Sequence, residues 1–440
     1  MTTTLSKTFL PELGNRRQGK VRDIYENGKT LTFVTSDRIS VFDCVLNEAI
    51  PQKGHILNEL SRFWFEKTKD IIPNHLMETV DSNVWIVKKC NPLMVEVIVR
   101  NYLTGSLWRD YKAGKRVKCG IEIPEGLKEH QQLPHPIVTP TTKSNEGHDE
   151  DITKEELVAQ GIVTKELWEM LETKSLELFK RGQEILSEKG VILVDTKYEF
   201  GIDDENNLTL IDEIHTPDSS RFWFQKDLDR KEIKFPDKEF ARSYCMSQGF
   251  MGNGTQPPIP SSIVDEIHSG YRSVFEAITG QKLEGTAQTP TNRVLEHLKK
   301  SKLIKGYFVL IITGSEKDQP HVDKITAQLD DSGIPHSTFV ASAHKTPKKT
   351  LSIIDEYNQS LEPIVCITVA GRSNALSGLV AANLRWPVIA CPPFKDHADY
   401  LANIHSSTQM PSNVPSMVVI DPKNAAMAAE RILKTMELSL

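Results

Sequence analysis

The chain has 440 residues, which is too many for one hydrophobic core and indicates two or three domains. Hydrophobic residues make up 39% and charged residues 25% of the sequence, as in an ordinary soluble globular protein. The formal net charge of -6 gives no reason to expect nucleic acid or a membrane as a partner. No apolar run approaches the roughly 18 residues of a membrane span, and the N-terminus lacks a signal-peptide core.

The six cysteines are scattered along the chain and form no Cys-x-x-Cys pair. This spacing argues against a zinc site and against a disulfide framework. We therefore expect a cytoplasmic protein with reduced thiols.

Basic residues near the N-terminus precede a predicted hairpin. Lys20 and Arg22 are followed by a turn at Asn27-Gly28 and a strand from Leu31 to Thr35. Such side chains are usually only solvated, but a glycine-containing flap carrying two cations is also suited to cover phosphate groups.

A lysine-bearing turn and a strong strand come next. Residues 50–54 predict a turn that presents Lys53 beside a glycine, as in an anion-binding loop, and a helix follows from Ile56 to Lys67. Leu93 to Leu103 alternates as a strand, with Glu96 and Arg100 on one face. These two side chains predict either a structural ion pair or a ligand site.

A predicted helix, an irregular stretch and a longer helix continue the first half. Ser106 stands near the start of the first helix, where backbone N–H groups favour an anion. Pro134 to Ile152 reads as an irregular loop that carries Lys143 and His148, and long loops of this kind are often functional. Lys165 to Lys189 is predicted to be a scaffold helix.

The most informative stretch is a predicted hairpin from Val191 to Ile214. Its strands, residues 191–202 and 207–214, are joined by a polar turn. Alternation puts Asp195, Lys197 and Glu199 on one face, and the returning strand brings Asp212 and Glu213 alongside. These carboxylates suit a hard divalent cation that carries nucleotide phosphates, whereas the alternative is a solvated edge hairpin.

The pattern changes after a polar boundary near residue 290. We expect an N-terminal domain over residues 1–289, a linker over 290–304 and a second domain over 305–440. Buried parallel strands are predicted at Phe308–Thr313, Thr338–Ala341, Pro363–Ala370, Pro387–Cys391 and Ser416–Ile420. With helices between them they predict a doubly wound α/β sheet, which binds ligands beyond the carboxyl ends of its strands.

Polar residues follow the first three of these strands. Residues 314–318 form either a capping box or a phosphate-binding helix start. A lone histidine at position 344 would more often be structural, but His344 and Lys345 face a predicted turn at 371–374 on the neighbouring strand. Together they favour a ligand site.

Eight motifs of the first half, taken in order, resemble the SAICAR synthetase family. They are GKVRDIY, TSDRIS, PQKG, EVIVRNYLTGSLW, TKSNEGHDE, VDTKYEFG, LIDEIHTPDSSRFW and YRSVFEAITG, and the resemblance covers about residues 12–284. It implies an α+β fold related to ATP-grasp ligases. It also implies that ATP and magnesium are used to join aspartate to carboxyaminoimidazole ribotide (CAIR), giving SAICAR.

The resemblance also implies roles for individual residues. ATP would be bound by Lys20, Arg22, Glu96 and Lys197, with Glu96 at the adenine edge, and magnesium would be bound by Glu199 and Asp212. CAIR and aspartate would be held by Ser40, Lys53, Arg100, Ser106, Lys143, His148, Asp195, Asp218 and Arg221.

Four motifs of the second half, GSEKD, SAHKTP, AGRSNALSG and QMPSNVP, resemble the AIR carboxylase family over about residues 308–436. Lys345 and the Arg-Ser-Asn turn at 372–374 resemble the class that takes CO2 directly, whereas Thr346 departs from the animal enzymes. His344, Lys345 and Ser373 would be catalytic, His344 by removing a proton. The substrates aminoimidazole ribotide (AIR) and CO2 would be bound by Gly314, Ser315, Asp318, Ser342, Gly371 and Arg372.

The product of the second half is thus the substrate of the first, which predicts a bifunctional enzyme of purine synthesis. The resemblance further implies a homo-octamer formed through the C-terminal domain, and no biotin is expected. Three alternatives stay open. The C-terminal domain is only an oligomerisation core, or it is a mutase acting on a carbamate, or the chain is a nucleotide-binding regulator without turnover.

Overall fold

The computed structural model describes residues 4–143, 150–230, 232–236, 238–283, 288–371 and 374–437. The chain forms two compact units. The first comprises Met1–Ser6 and Gln18–Pro290, and the second comprises Lys7–Arg17 and Thr291–Leu440. A short segment near the N-terminus therefore belongs to the same unit as the C-terminal part of the chain.

Strands and helices alternate irregularly in the first unit. Its strands, the first of which spans the change from the second unit to the first, are β1 (Arg16–Gln18), β2 (Arg22–Asn27), β3 (Thr30–Thr35), β4 (Arg38–Val41), β5 (Cys44–Ala49), β6 (Leu76–Asp81), β7 (Val84–Lys88), β8 (Asn91–Tyr102), β9 (Val117–Lys118), β10 (Ile121–Glu122), β11 (Gln132–Thr142), β12 (Val191–Ile202), β13 (Leu208–Ile211) and β14 (Ser220–Phe224). Its helices are α1 (Lys53–Thr68), α2 (Gly105–Lys112), α3 (Lys154–Ala159), α4 (Lys165–Ser187), α5 (Gln225–Asp229), α6 (Lys238–Ser247) and α7 (Ser261–Thr279).

Two antiparallel sheets organise this unit. One runs β2-β3-β7-β6, and the other runs β11-β8-β12-β13, with β14 also paired to β12. Valines of β8 and aromatic residues of β12 share a buried core with apolar residues of α4. The opposite face of β8 and β12 is thereby left for polar side chains. This arrangement confirms the α+β fold that the sequence predicts.

The predicted hairpin is present as β12 and β13. Glu199 pairs with Ile211 and Ile202 with Leu208. The side chain of Asp203 fastens the turn by accepting hydrogen bonds from the backbone N–H of Glu205 (3.0 Å) and of Asn207 (2.8 Å). The ion pair with Lys88, together with these amides, lowers the pKa of Asp203 to about 2.

The prediction that Pro134 to Ile152 is irregular is wrong for its first part. Residues Gln132–Thr142 form β11, which pairs antiparallel with β8 after a register shift between Gln132 and Ile137. The prediction was wrong because the stretch contains three prolines, which usually indicate a loop. Since β11 is an edge strand of its sheet, prolines are tolerated where their missing N–H groups are not needed.

The second unit contains the remaining elements. They are α8 (Pro290–Lys300), β15 (Phe308–Thr313), α9 (Gln319–Asp331), β16 (His336–Val340), α10 (Pro347–Tyr357), β17 (Ile364–Val369), α11 (Ala375–Asn383), β18 (Val388–Ala390), α12 (His397–Thr408), β19 (Met417–Val418) and α13 (Pro422–Glu437), with short 3-10 helices at Pro11–Leu13 and Glu316–Asp318.

The sheet of the second unit is parallel throughout, in the order β16-β15-β17-β18-β19. Alternate residues of β15 and β17 enter two different cores. Phe308, Leu310 and Ile312 join one cluster of buried residues, and Val309 and Ile311 join another. Both faces are therefore covered, as the continuous apolar runs predicted, and the doubly wound α/β fold is confirmed.

Two further features concern the whole described chain. Within the described residues, no helix combines the length and the apolar character needed to cross a membrane. The six cysteines are free thiols, and Cys245, Cys366 and Cys391 are buried.

Replacing Gly182 with alanine tests the packing of α4 on β12. Alanine favours a helix over glycine by about 1 kcal/mol, but its Cβ would lie 2.6 Å from His215 Cε1 and 2.9 Å from Leu193 Cδ2. Because overpacking costs roughly 1–3 kcal/mol, we expect Gly182→Ala to lower the melting temperature of the first unit. Scanning calorimetry of the full chain measures this, with exposed Lys180→Ala as the neutral control. An increase in melting temperature would contradict the close packing.

Candidate functional site

The polar face of the first unit is produced by strand register. The antiparallel pairing of β8 with β12 puts Glu96 opposite Glu199 and Arg100 opposite Asp195. Lys197 lies between the two carboxylates of its own strand and, by alternation, on the same face. Four charges from two neighbouring strands, together with this lysine, therefore meet on one surface.

The first charge cluster consists of Glu96, Lys143, Lys197 and Glu199. The ammonium of Lys197 lies 2.6 Å from Glu96 Oε1 and 2.7 Å from Glu199 Oε1, and Lys143 forms an ion pair with Glu199. Burial opposes the charge of Lys197, but Glu199 and Glu96 raise its pKa well above the usual value. Burial likewise opposes the charge of Glu199, but Lys197 and Lys143 lower its pKa. Both shifts favour the charged forms of Lys197 and Glu199.

A buried arginine adjoins this cluster. Arg22 of β2 forms an ion pair with Asp212 and lies 2.9 Å from Glu213. Burial opposes its charge, but the two carboxylates raise the pKa of Arg22. Asp212 also acts on Lys197, raising its pKa, and adopts the left-handed backbone conformation at φ 67°. A left-handed non-glycine residue is conformationally costly, and such strain concentrates at functional sites.

The second charge cluster is formed by Arg100, Asp195, Arg221 and Glu239. Arg221 lies 2.6 Å from Asp195 and 3.0 Å from Glu239, while Arg100 lies 3.8 Å from Asp195. Arg100 also donates a hydrogen bond from Nε to Thr139 (2.9 Å). Of the two alternatives left open for Glu96 and Arg100, the mutual ion pair is not formed, because Glu96 contacts Lys197 and Arg100 lies near Asp195. Ser106, in the first turn of α2, is half-buried.

Sequence reasoning missed Glu239, Arg242 and Arg109, although it predicted Arg221. Glu239 binds Arg242 at 2.6 Å, and its charge also acts on Arg109. Two carboxylates thus face four arginines, an excess of positive charge that suits an anionic ligand. The sequence carried no usable signal, because Glu239 and Arg242 look like an ordinary ion pair on a helix surface.

The third charge cluster lies around Asp218. Its carboxylate is 2.7 Å from the ammonium of fully buried Lys53 and accepts a hydrogen bond from Tyr271 (2.6 Å). Lys238 lies 3.9 Å from Asp218 and donates to Ser40 (3.2 Å). Burial opposes ionisation of Asp218, but Lys53 and Lys238 lower its pKa. The predicted residues Ser40, Lys53 and Asp218 are thus brought together, whereas Lys238 and Tyr271 were missed.

Two predicted residues stand apart from these clusters. Lys20 forms an ion pair with Asp43 (2.5 Å) in which both side chains are about half exposed, so the pair contributes little to stability. Lys20 and Arg22 thus contact different carboxylates, Asp43 for Lys20 and Asp212 and Glu213 for Arg22. His148 lies outside the described residues.

In the second unit, three strand ends meet at one edge of the sheet. Because β15 lies between β16 and β17, the loops after all three begin side by side. Ser315 caps the helix start by accepting a hydrogen bond from the N–H of Lys317 (3.2 Å). Burial raises the pKa of Asp318, although Lys395 opposes the shift. Gly314 begins this connection after β15, and Ser342 and Gly371 lie near the starts of the connections after β16 and β17.

The loop after β16 is closed by its own side chains. Ser342 accepts a hydrogen bond from the N–H of Lys345 (3.2 Å), and Thr346 accepts one from the N–H of Ser342 (2.9 Å). This tightening leaves His344 and Lys345 exposed to solvent. The predicted residues Arg372 and Ser373 lie outside the described part of the chain.

At Gly371 there is little room for a side chain. A Cβ there would lie 3.1 Å from Asn403 Nδ2, so the backbone passes close to α12. The next described residue, Asn374, caps α11 by accepting a hydrogen bond from the N–H of Ser377 (3.1 Å). Among the described residues, no group of three or more His, Cys, Asp or Glu side chains is arranged to hold a metal ion.

The chain is similar to known proteins in both halves. The sequence model of the SAICAR synthetase family matches residues 15–257, and that of the AIR carboxylase family matches residues 308–440. Phosphoribosylaminoimidazole-succinocarboxamide synthase of Bacteroides fragilis is 48% identical over 292 residues, covering 64% of this chain and 92% of the relative. The corresponding enzyme of Bacteroides thetaiotaomicron is 46% identical over 295 residues, with the same coverage of each chain.

A solved structure agrees with these matches. The SAICAR synthase of Saccharomyces cerevisiae, complexed with SAICAR, is 34% identical and has a TM-score of 0.57, covering 64% of this chain and 100% of that chain. The resemblances found in the motifs are thereby confirmed for both halves. The chain belongs to the SAICAR synthetase family and carries an AIR carboxylase domain in the same polypeptide, which makes it a bifunctional enzyme of purine biosynthesis.

Proposed function

We propose that the two halves catalyse consecutive reactions. The C-terminal unit carboxylates AIR with CO2 to give CAIR, and the N-terminal unit condenses CAIR with L-aspartate at the expense of ATP, giving SAICAR, ADP and phosphate. The observation that supports this most is the polar face of β8 and β12, where Glu199 and Asp212 both act on the ammonium of Lys197. Charges of both signs are thus in place for a polyphosphate and its cation.

The ligase reaction proceeds in two steps. A carboxylate oxygen of CAIR attacks the γ-phosphorus of ATP, the β–γ bridging bond breaks, and ADP leaves an acyl phosphate behind. The amine of aspartate then attacks the acyl carbon, forming the C–N bond as phosphate departs and the amine loses a proton. Because phosphoryl transfer depends mainly on positioning and charge neutralisation, we assign Lys20, Arg22 and Lys197 to the ATP phosphates and Glu96 to adenine.

We assign Glu199 and Asp212 to magnesium. The donor set fits, because Mg²⁺ typically binds one or two carboxylates together with phosphate oxygens, and both carboxylates are surrounded by cations that a metal–phosphate group can replace. The metal would neutralise charge on the transferred phosphoryl group. We assign the second and third charge clusters to CAIR and aspartate, together with Ser40, Ser106, Lys143 and His148.

The carboxylation needs no cofactor in this proposal. C4 of the aminoimidazole attacks CO2 as an enamine carbon does, forming the new C–C bond. His344 then removes the C4 proton, which restores the aromatic ring. Lys345 and Ser373 hold CO2 beside C4, and Gly314, Ser315, Asp318, Ser342, Gly371 and Arg372 hold the nucleotide.

We also propose that the C-terminal unit assembles the chain into a homo-octamer and that the enzyme works in the cytoplasm. Light scattering of the purified protein tests the assembly, since a monomeric mass would contradict it.

ADP release tests the consecutive reactions. With magnesium, ATP, aspartate, AIR and bicarbonate, we expect ADP to appear only when all five components are present, since each supplies an atom or a charge that the sequence of steps requires. Supplied CAIR should replace AIR and bicarbonate together. If only CAIR supports ADP release, the C-terminal unit is inactive in carboxylation or acts as a mutase.

Replacing His344 with asparagine tests the proton acceptor. We expect His344→Asn to slow carboxylation by roughly 100-fold or more, because general-base catalysis contributes about that factor, and to leave ADP release from CAIR unchanged. The control is His336→Asn, at the opposite end of the strand that leads to His344. Equal losses in the two variants would show that His344 is not the base.

Replacing Gly105 with alanine tests the position of Arg221. Gly105 has φ +58°, and a Cβ there would lie 2.5 Å from Arg221 Nη2. Because a lost charge-assisted hydrogen bond costs about 1.5–3 kcal/mol, kcat/KM for CAIR should fall by roughly 10- to 100-fold. Gly161→Ala is the control, since its φ of +70° imposes similar strain but no atom lies within 4 Å. Equal kinetics in the two variants would contradict this role of Arg221.

A further inference from the structure

The N-terminal segment Lys7–Arg17 is packed into the second unit, although it precedes the synthetase sequence. Residues 7–14 lie outside both family matches, which begin at residues 15 and 308. The two family matches therefore do not account for residues 7–14. Its contacts are nevertheless extensive, and we call it the strap.

Apolar contacts anchor the strap. Phe9 is 4% exposed and belongs to the same buried cluster as Phe308 and Ile364. Its ring packs edge-on against Tyr357 at a centroid distance of 5.3 Å. Leu10, the next residue, is fully buried. Burial of two large side chains contributes far more than a surface contact would.

Backbone groups extend this anchor. Phe9 forms a parallel β-bridge with Ser360, and its carbonyl accepts a hydrogen bond from the N–H of Leu361 (2.9 Å). The carboxylate of Glu12 accepts hydrogen bonds from the backbone N–H groups of Lys305 (2.7 Å) and Gly306 (3.0 Å). Consecutive N–H groups of this kind form a small concave site for an anion.

A buried carboxyl group completes the attachment. Oε2 of Glu362 accepts a hydrogen bond from the N–H of Glu12 (3.1 Å), and the Glu362 residue is fully buried. Burial raises the pKa of Glu362 well above its usual value, and the nearby Glu12 raises it further. Binding of the strap therefore favours the protonated form of Glu362, since two adjacent carboxylates would repel each other.

The position of these contacts connects the strap to the candidate carboxylase site. Phe9 packs against Tyr357, which is the last residue of α10. That helix begins at Pro347, directly after the loop that carries His344 and Lys345. The strap itself lies at the beginning of β17, opposite the strand ends where the site is built. The helix α10 therefore connects the strap to the loop that carries His344.

We propose that the strap is a docking segment that holds α10, and through it the His344 loop, in the ordered position. The carboxylase half then depends on the anchoring of Phe9, whereas the synthetase half does not. The effect on the His344 loop rests on the proposed carboxylation, but the ordering of α10 does not.

Hydrogen exchange of the full-length chain tests the ordering. In Phe9→Ala, amides of α10 and β17 should exchange at least about tenfold faster, because the anchor that opposes local opening is weakened. Phe394→Ala is the matched control, since Phe394 is an exposed phenylalanine of the same unit (47% exposed). Exchange in α10 that is the same in both variants and in the unmodified chain would overturn the proposal.

Activity separates the strap from the proposed reactions. In Phe9→Ala, ADP release from AIR and bicarbonate should fall, while ADP release from supplied CAIR should be unchanged. Faster exchange in α10 without any loss of carboxylation would disprove the connection to the His344 loop. If the unmodified chain does not carboxylate AIR, the proposed function fails while the exchange result still decides on the strap.

A second variant, Glu362→Gln, tests the same attachment without removing a large buried side chain, so its result does not depend on general unfolding. The charged or titratable groups around Glu362 are Glu12, Tyr357, Lys305 and Arg385, the last of which donates to Ser360 O (2.6 Å). Because the pKa of Glu362 is raised when the strap is bound, strap binding is favoured at low pH and is lost as the pH rises through that raised pKa. Glutamine stays neutral, and its side-chain oxygen can still accept the hydrogen bond from the N–H of Glu12.

The expected result is a difference in pH dependence. As the pH is raised, protection of α10 relative to Phe394→Ala should decline in the unmodified chain and stay constant in Glu362→Gln. The same decline in both proteins would show that Glu362 does not hold the strap by its proton.

Discussion

The antiparallel register between β8 and β12 is the constraint on which the synthetase half depends. A shift of one residue would turn Asp195, Lys197 and Glu199 toward the core that now contains valines and aromatic residues. The other side of β12 packs closely on α4 at Gly182, where an added Cβ would lie 2.9 Å from Leu193 Cδ2. The charges that define the candidate site are therefore positioned by apolar packing on the opposite face of the sheet.

The charges themselves are not an obvious source of stability. Burying an ion such as Lys53 or Asp218 costs free energy that its partner only partly offsets. This cost is explained if substrates and a metal ion replace some of these ion pairs when they bind. Ion pairs such as Arg221–Asp195 then keep the side chains extended and ordered, so that little further ordering is needed when a ligand binds.

Local pattern explains why some elements were predictable. The hairpin Val191–Ile214 and the parallel strands of the second unit were found because alternation and continuous apolar runs are local properties. The strand β11 was missed because its prolines read as loop signals, and only its edge position in the sheet makes them acceptable. The position of a strand within its sheet depends on the tertiary fold and cannot be read from a short stretch of sequence.

The candidate site was predictable to a similar extent. Residues on β8 and β12 share a face by counting, so Glu96, Arg100 and the three charges of β12 could be grouped in advance. Glu239, Lys238 and Tyr271 come from α6 and α7, and their approach to Arg221 and Asp218 depends on how those helices fold back. The contacts of Phe9 and Glu12 could not be predicted for the same reason, since Glu12 and its partner Glu362 are 350 positions apart in the sequence.

This separation has a consequence for biosynthesis. The strap is synthesised long before the surface that receives it, which is completed only after about 350 further residues have been added. At about 5–20 residues per second, Phe9 and Leu10 stay without their partners for roughly 20–70 s. The synthetase half can fold during this interval, so the nascent chain carries a finished domain with an unsatisfied apolar tail. Such a tail is a natural target for a chaperone, and a chain truncated before Tyr357 would retain it permanently.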